Sequence, residues 1–270
     1  MRISARTLTS ALIMMSVCIA ASAQKNNMDS LLQRLQELGK QTGIKVERIE
    51  KTHEYVDLGL SVKWATCNVG ADKPQEFGNL YAWGETQPAS EGSIEKYKFC
   101  KGDNKSFTKY CSDKNYGYKR FTDNKTTLDP DDDVAHVKWG ADWRMPTIEE
   151  CQELIDKCTW TCDSINGVNG YRVTSNVPGY TDRSIFLPAA GGDGGYTING
   201  RSFSTTLNYR TKGGFFTGNF WSSTLDSDNP QNAGSLAFFT VGAILPGVTS
   251  VSINKSSNRE FCKSVRPVHQ

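Results

Sequence analysis

Asp129, Asp131, Asp132 and Asp133 place four carboxylates in five residues. Hard oxygen donors gathered in a tight turn suit calcium, which takes about six to eight of them. Asp131 or Asp132 also suits the cap of a short helix leading to Trp139, where negative charge is stabilising by roughly 0.3–1 kcal/mol. The cap is the simpler use and calcium the alternative. Asp226 and Asp228 form a second acidic turn with the same two uses. Nucleophilic catalysis needs a base within hydrogen-bond reach of a Ser or Cys, and the chain has three histidines, His53, His136 and His269. His136 is expected to pack beside Trp139, and no two acids stand out as a glycosidase pair. No catalytic residue is assigned. Aromatic contact remains, because rigid rings give recognition surfaces for sugars and proteins. Tyr180, Tyr196, Tyr209 and Phe216 lie in the Gly-rich stretch between Gly179 and Gly218. With Asp226 and Asp228 they form the expected ligand-binding set.

Export governs how the cysteines are read. Arg2 and Arg6 precede an apolar run from Leu8 to Ala21, and Ala21, Ser22 and Ala23 supply small residues before Gln24. That order is a secretory signal, residues 1–23, cleaved after Ala23. The run falls short of the roughly 20 apolar residues of a membrane span, so no transmembrane segment is expected in the mature chain. The product would be secreted, to the periplasm or the outer cell surface. A lipoprotein acylated at Cys18 is disfavoured by Val17 directly ahead of it. Beyond Ala23 seven cysteines remain, in a compartment that permits disulfides. Cys100 and Cys111 flank a loop of Lys, Asp and Asn and are expected to form a local bridge. Cys151, Cys158 and Cys162 lack the paired spacing of a zinc site. The 31 basic and 29 acidic side chains become 29 of each once the signal is removed. A neutral chain makes no electrostatic case for nucleic acid or an anionic membrane.

These residues need elements to hold them. Met28, Leu31, Leu35 and Leu38 follow helical spacing, which predicts a short amphipathic helix in a linker over residues 24–52. Two heptads are too few for a stable coiled stalk, although residues 28–38 offer a route to oligomers. From about His53 the texture changes to short apolar runs broken by Gly, Asn and Asp. Strands are predicted at Tyr55–Leu58, Val62–Ala65, Asn79–Trp83, Gly170–Thr174, Ser184–Leu187, Asn219–Ser222, Ser235–Phe239, Val248–Ile253 and Cys262–Val268. Thr147 with Glu150 makes a capping box, and Ile148, Cys151, Leu154, Ile155 and Cys158 share one face. The main helix is therefore expected over 147–158. Between Glu85 and Trp139 lies more polar loop than a compact domain usually carries. One α+β domain over 53–270, with small twisted antiparallel sheets and one main helix, accounts for the order.

Several separated motifs then resemble a known family. Glu54–Leu60, Lys63–Gly70, Tyr81–Glu85, Asp132–Ala135 with Trp139 and Gly140, Trp143–Thr147, Phe220–Ser223 and Ser264–Pro267 look like the Fibrobacter succinogenes major paralogous domain family. Its members are abundant in secreted proteins of gut Bacteroidetes. The resemblance spans about His53 to Val268 and implies a C-type-lectin-like fold, shared with formylglycine-generating enzymes. An oxidase of that kind would need a late pair of copper-binding cysteines, and residues 163–261 contain none. The lectin calcium triplets are absent too. Trp64, Trp83, Trp139, Trp143 and Trp221 fall within or beside the motifs and are expected in the core.

The fold alone does not fix function. The reading is a secreted, non-catalytic binding or adhesion protein that recognises a glycan or a cell-surface protein through loops between about Gly179 and Asn232. No cofactor beyond a possible calcium is expected. One alternative is an enzyme with a carboxylate site in the loops, metal-assisted or not. A second is a structural surface component that assembles through the N-terminal helix.

Overall fold

The structure is a computed structural model. It describes residues 34, 35, 37–41, 52–191, 195–198, 201–204, 215–241 and 249–270, with backbone alone for 195–198, 201–204, 215, 241 and 249. The chain divides into two compact units, Met1–Thr52 and His53–Gln270. In the first, Arg34, Leu35 and Glu37–Gln41 are helical and Leu38 is exposed. No helix among the described residues is long and apolar enough to cross a membrane.

The second unit is mixed α+β, built of small antiparallel sheets with few helices. Its first sheet has the order β1-β2-β12-β3, from β1 (Tyr55–Val56), β2 (Lys63–Ala65), β3 (Trp143–Arg144) and β12 (Val268–His269). The last strand thus lies between the second and third. A second sheet runs β4 (Cys158–Ile165), β5 (Val168–Ser175), β6 (Ser184–Pro188), and a hairpin joins β7 (Gly195–Ile198) to β8 (Arg201–Ser204). The longest strands, β9 (Phe215–Leu225), β10 (Asn232–Val241) and β11 (Thr249–Asn258), form a third three-stranded sheet with β10 central.

Two helices accompany the sheets, α1 (Val134–Trp139) and α2 (Ile148–Asp156). The expected capping box of α2 is present: Glu150 N donates to Thr147 Oγ1, and Thr147 N donates to Glu150 Oε2 at 2.8 Å. Ile148, Cys151 and Leu154 are its buried face. The helix stops at Asp156, two residues before the expected end. Cys158 opens β4 opposite Ser175, and Trp160 Nε1 turns back to donate to the Leu154 carbonyl, occupying an acceptor that a continuing helix would have used. The expected strand at Asn79–Trp83 is reduced to one bridge, Tyr81 with Lys263.

Indole rings form the core, as their place in the motifs implied. Trp64, Trp83, Trp143 and Trp221 are buried, whereas Trp139 keeps a half-exposed ring. Two motifs lock each other: Trp83 Nε1 donates to the Ser222 carbonyl at 2.8 Å, and Trp221 Nε1 donates to the Tyr81 carbonyl at 2.8 Å. Most buried indole N–H groups take such a partner, whereas Trp64 Nε1 has none among the described residues.

The long polar stretch from Glu85 to Trp139 is held by charge and not by a disulfide. Cys100 and Cys111 are free thiols; Cys100 Sγ contacts the Ile94 carbonyl at 2.9 Å and Cys111 Sγ the Asp113 carbonyl at 3.1 Å. The expected bridge is corrected accordingly: Cys100 sits across from Phe107 in the local pairing, not across from Cys111. Burial pushes both thiols up, as expected of inert structural cysteines. Arg259 does the tying. Its fully buried guanidinium donates to the carbonyls of Tyr110, Pro230 and Lys109 and to Tyr97 Oη, and lies over the rings of Phe107, Trp83 and Tyr97.

Candidate functional site

The acidic run resolves into three separate jobs. Asp133 caps α1, with Oδ1 accepting from Ala135 N and His136 N, while Oδ2 accepts from Met145 N at 2.7 Å. The cap therefore falls one residue beyond Asp132. Burial pushes the Asp133 carboxyl up, against the pull of those backbone donors. Asp132 is buried and accepts from Lys98 at 2.6 Å, Lys109 at 2.5 Å and Tyr110 Oη at 2.6 Å. Burial works against its charge, yet these donors outweigh burial and hold it below the usual carboxylate range. Asp129 pairs with Lys109 and Lys125, which hold it low as well. Asp131 is exposed. Lysine ammoniums thus pair with Asp129 and Asp132 and backbone amides with Asp133, and among the described residues no three His, Cys, Asp or Glu side chains are grouped as metal ligands.

The expected ligand-binding set is described only in part, and its described side chains lie in separate surroundings. Tyr209 lies outside the described residues, and Tyr196 is described by its β7 backbone alone. Phe216 is half-buried against Tyr171, with ring centres 6.0 Å apart. Asp226 Oδ1 accepts from Asp228 N and Asn229 N, closing its turn, and Asp228 is exposed. Tyr180 alone reaches a cleft.

That cleft has a volume of about 220 Å³ and is lined by Asp57, Ser61, Lys63, Tyr180, His269 and Gln270, among others. The β1–β2 connection forms one wall and is pinned from three sides. Ser61 N and Oγ donate to Glu153 Oε2 of α2, Ser175 Oγ of β5 donates to the Leu58 carbonyl, and the Tyr180 ring lies against Gly59. Gly59 has φ +72°, and a Cβ there would come within 2.6 Å of that ring, so the turn needs glycine. Arg183 covers the Tyr180 ring at 4.7 Å and donates to the Asp57 carbonyl at 3.1 Å.

Beside the cleft, a run of rings crosses the first sheet from β1 over β12 to β3. His53 stacks on Trp139 with centres 3.7 Å apart, and Trp139 meets Trp143 edge-on at 5.0 Å. Trp143 meets His269 at 5.0 Å, and His269 meets Tyr55 at 4.6 Å. Lys63 Nζ sits 4.8 Å from the centre of the Tyr55 ring, which is 42% exposed. His269 belongs to both groups, so cleft and rings form one continuous surface. Of this surface the sequence pointed to Tyr180 as a contact and missed Tyr55, Lys63, His53 and His269. The available signal was alternation: Trp64 and Val268 point inward, which turns Lys63 and His269 outward.

Chemically, such a surface offers flat apolar faces next to charged and hydroxyl hydrogen-bonding groups, the combination that binds a polar ring compound. The chain matches no family model, and no curated protein or solved structure matches it.

Proposed function

We propose that this chain is an exported, non-catalytic binding protein of the Fibrobacter succinogenes major paralogous domain family, with a C-type-lectin-like arrangement, and that it takes a saccharide on the Tyr55–His269–Tyr180 surface. The observation that carries the reading is the exposed Tyr55 ring flanked by Lys63 and His269 at the mouth of the cleft. The ring supplies a face for sugar C–H groups, while Asp57, Lys63 and Ser61 supply partners for hydroxyls. Family membership is supported by the way the motif residues meet in space, above all the reciprocal Trp83 and Trp221 hydrogen bonds. This reading places the binding site on the first sheet and not in the 179–232 loops, and keeps only Tyr180 of the earlier set.

A glycan array tests this with wild-type protein, Tyr55→Ala and Lys63→Ala. Each ring or cation lost from a contact surface is expected to weaken capture by roughly tenfold, about 1.4 kcal/mol. Both side chains lie at the surface, so thermal unfolding should stay within a degree or two. Undiminished capture by Tyr55→Ala would show the surface to be idle.

A further inference from the structure

A second surface, independent of the cleft, lies in the polar stretch. Residues 96–125 hold nine Lys or Arg against three Asp in a chain whose net charge is only +2. Overall neutrality conceals this separation. Lys98, Lys109 and Lys125 are consumed by Asp129 and Asp132. Lys101, Lys105, Lys114, Lys119 and Arg120 are exposed, and no carboxylate of the described residues pairs with them. The three local acids accept from backbone amides: Asp103 from Lys105 N, Asp113 from Asn115 N, and Asp123 from Tyr110 N and Cys111 N. Bridges from Cys100 to Phe107 and from Phe107 to Gly117 lay the connecting loops side by side.

At the end of this ladder the turn Tyr118–Phe121 holds an unusual conformation. Lys119 and Arg120 are consecutive left-handed residues, φ +52° and +65°, a region that side chains with a Cβ rarely adopt in succession. The turn is pinned by Tyr118 N donating to the Phe107 carbonyl and Phe121 N to the Tyr118 carbonyl. It also needs Gly117, where a Cβ would lie 1.8 Å from the Phe121 carbonyl oxygen. Neither cation is packed in the core, so the strain does not serve burial. Its result is two free cations between two exposed rings, Tyr118 at 41% and Phe121 at 36%, with Lys119 Nζ 5.3 Å from the Tyr118 ring centre. Strain kept at an exposed tip points to recognition.

We propose that this turn and the lysines around it dock an acidic polysaccharide. A flexible chain of repeating anions can follow cations spread over several loops, and its sugar rings can lie on Tyr118 and Phe121. An anionic bilayer fits less well. Membrane binding would require the rings to enter the interface by about 5–10 Å, and more than half of each residue is already covered.

Binding of the full chain to immobilised dextran sulfate and polygalacturonate, against neutral dextran and phosphatidylglycerol vesicles, tests the proposal. Retention by both acidic polymers is expected, falling steeply between about 0.01 M and about 1 M salt as the screening length shrinks from about 30 to about 3 Å. The double variant Lys119→Gln with Arg120→Gln should bind roughly tenfold more weakly, a loss of two sulfate or carboxylate contacts. Lys101→Gln with Lys105→Gln repeats the test from a neighbouring loop. A tenfold loss in either double variant, with unfolding temperature preserved, supports the assignment. Equal affinity of both variants and wild type, no preference over neutral dextran, or stronger binding to the vesicles overturns it.

Discussion

Asp132 shows how one residue sets the behaviour of the long polar stretch. Its side chain is only 6% exposed, yet it stays charged because Lys98, Lys109 and Tyr110 donate to it. Its pKa lies below the usual carboxylate value, so this contribution to stability is present above about pH 4 and lost as pH falls through the folded value. Lys109 has the opposite sign. Burial works against its charge, but the hydrogen bonds it donates to Asp129 and Asp132 raise it, so its contribution holds below the usual lysine value near 10.5 and is lost only above that. The network is therefore complete between about pH 5 and about pH 10. Asp132→Asn leaves Lys98 without its anion and Lys109 with Asp129 alone, and should cost about 2–3 kcal/mol at pH 7, tempered by the partial exposure of both lysines. In a domain of this size that lowers the unfolding temperature by about 5–10 °C. Thermal scans across pH check the sign: the gap between wild type and variant should close below about pH 4. A gap independent of pH would mean that Asp132 acts by packing.

At the scale of elements, α2 connects stability to the binding surface. Glu150 closes the capping box on Thr147 and also takes a two-pronged contact from Arg144 of β3. One turn later Glu153 holds Ser61, in the wall of the cleft. Thr147→Ala should cost about 1 kcal/mol in urea unfolding. Glu150→Ala should cost about 2, since it also leaves the half-buried Arg144 unpaired. If the two variants are equally stable, the Arg144 contact carries no weight. This helix was legible in the sequence because a capping box and an apolar stripe are local signals. Its end was not: Cys158 continues the helical spacing while belonging to a strand fixed by Ser175 across the hairpin. The ring surface was less legible still. Lys63, Trp143 and His269 meet because β12 pairs with both β2 and β3, and pairing between segments so far apart in sequence leaves no local pattern. Asp132 lay in plain view, but its partners Lys98 and Lys109 come from a stretch with no periodicity to place them.

The whole molecule depends on cations that its final segment carries inward. Arg259 and Arg266 are fully buried, and no carboxylate of the described residues pairs with either guanidinium. Their partners are mostly backbone carbonyls: Arg266 donates to Ala65, Thr66 and Phe186, and to Asn68 Oδ1. One side chain thereby ties β2, the loop after it and β6 to the strand that closes the first sheet. A buried ion pair can often be exchanged for apolar side chains of equal volume, because both charges leave together. Here they cannot, since carbonyls remain whatever replaces the arginine, and each unsatisfied acceptor costs about 1–3 kcal/mol. Arg266→Met should therefore destabilise by roughly 3–5 kcal/mol, with water entering to recover part of the loss. Arg266→Lys should recover little, because a point charge cannot reach four acceptors spread around a planar fork. Urea unfolding of the three proteins separates the possibilities. A methionine variant as stable as wild type would mean that the carbonyls find other donors and that the final segment is held by β12 pairing alone.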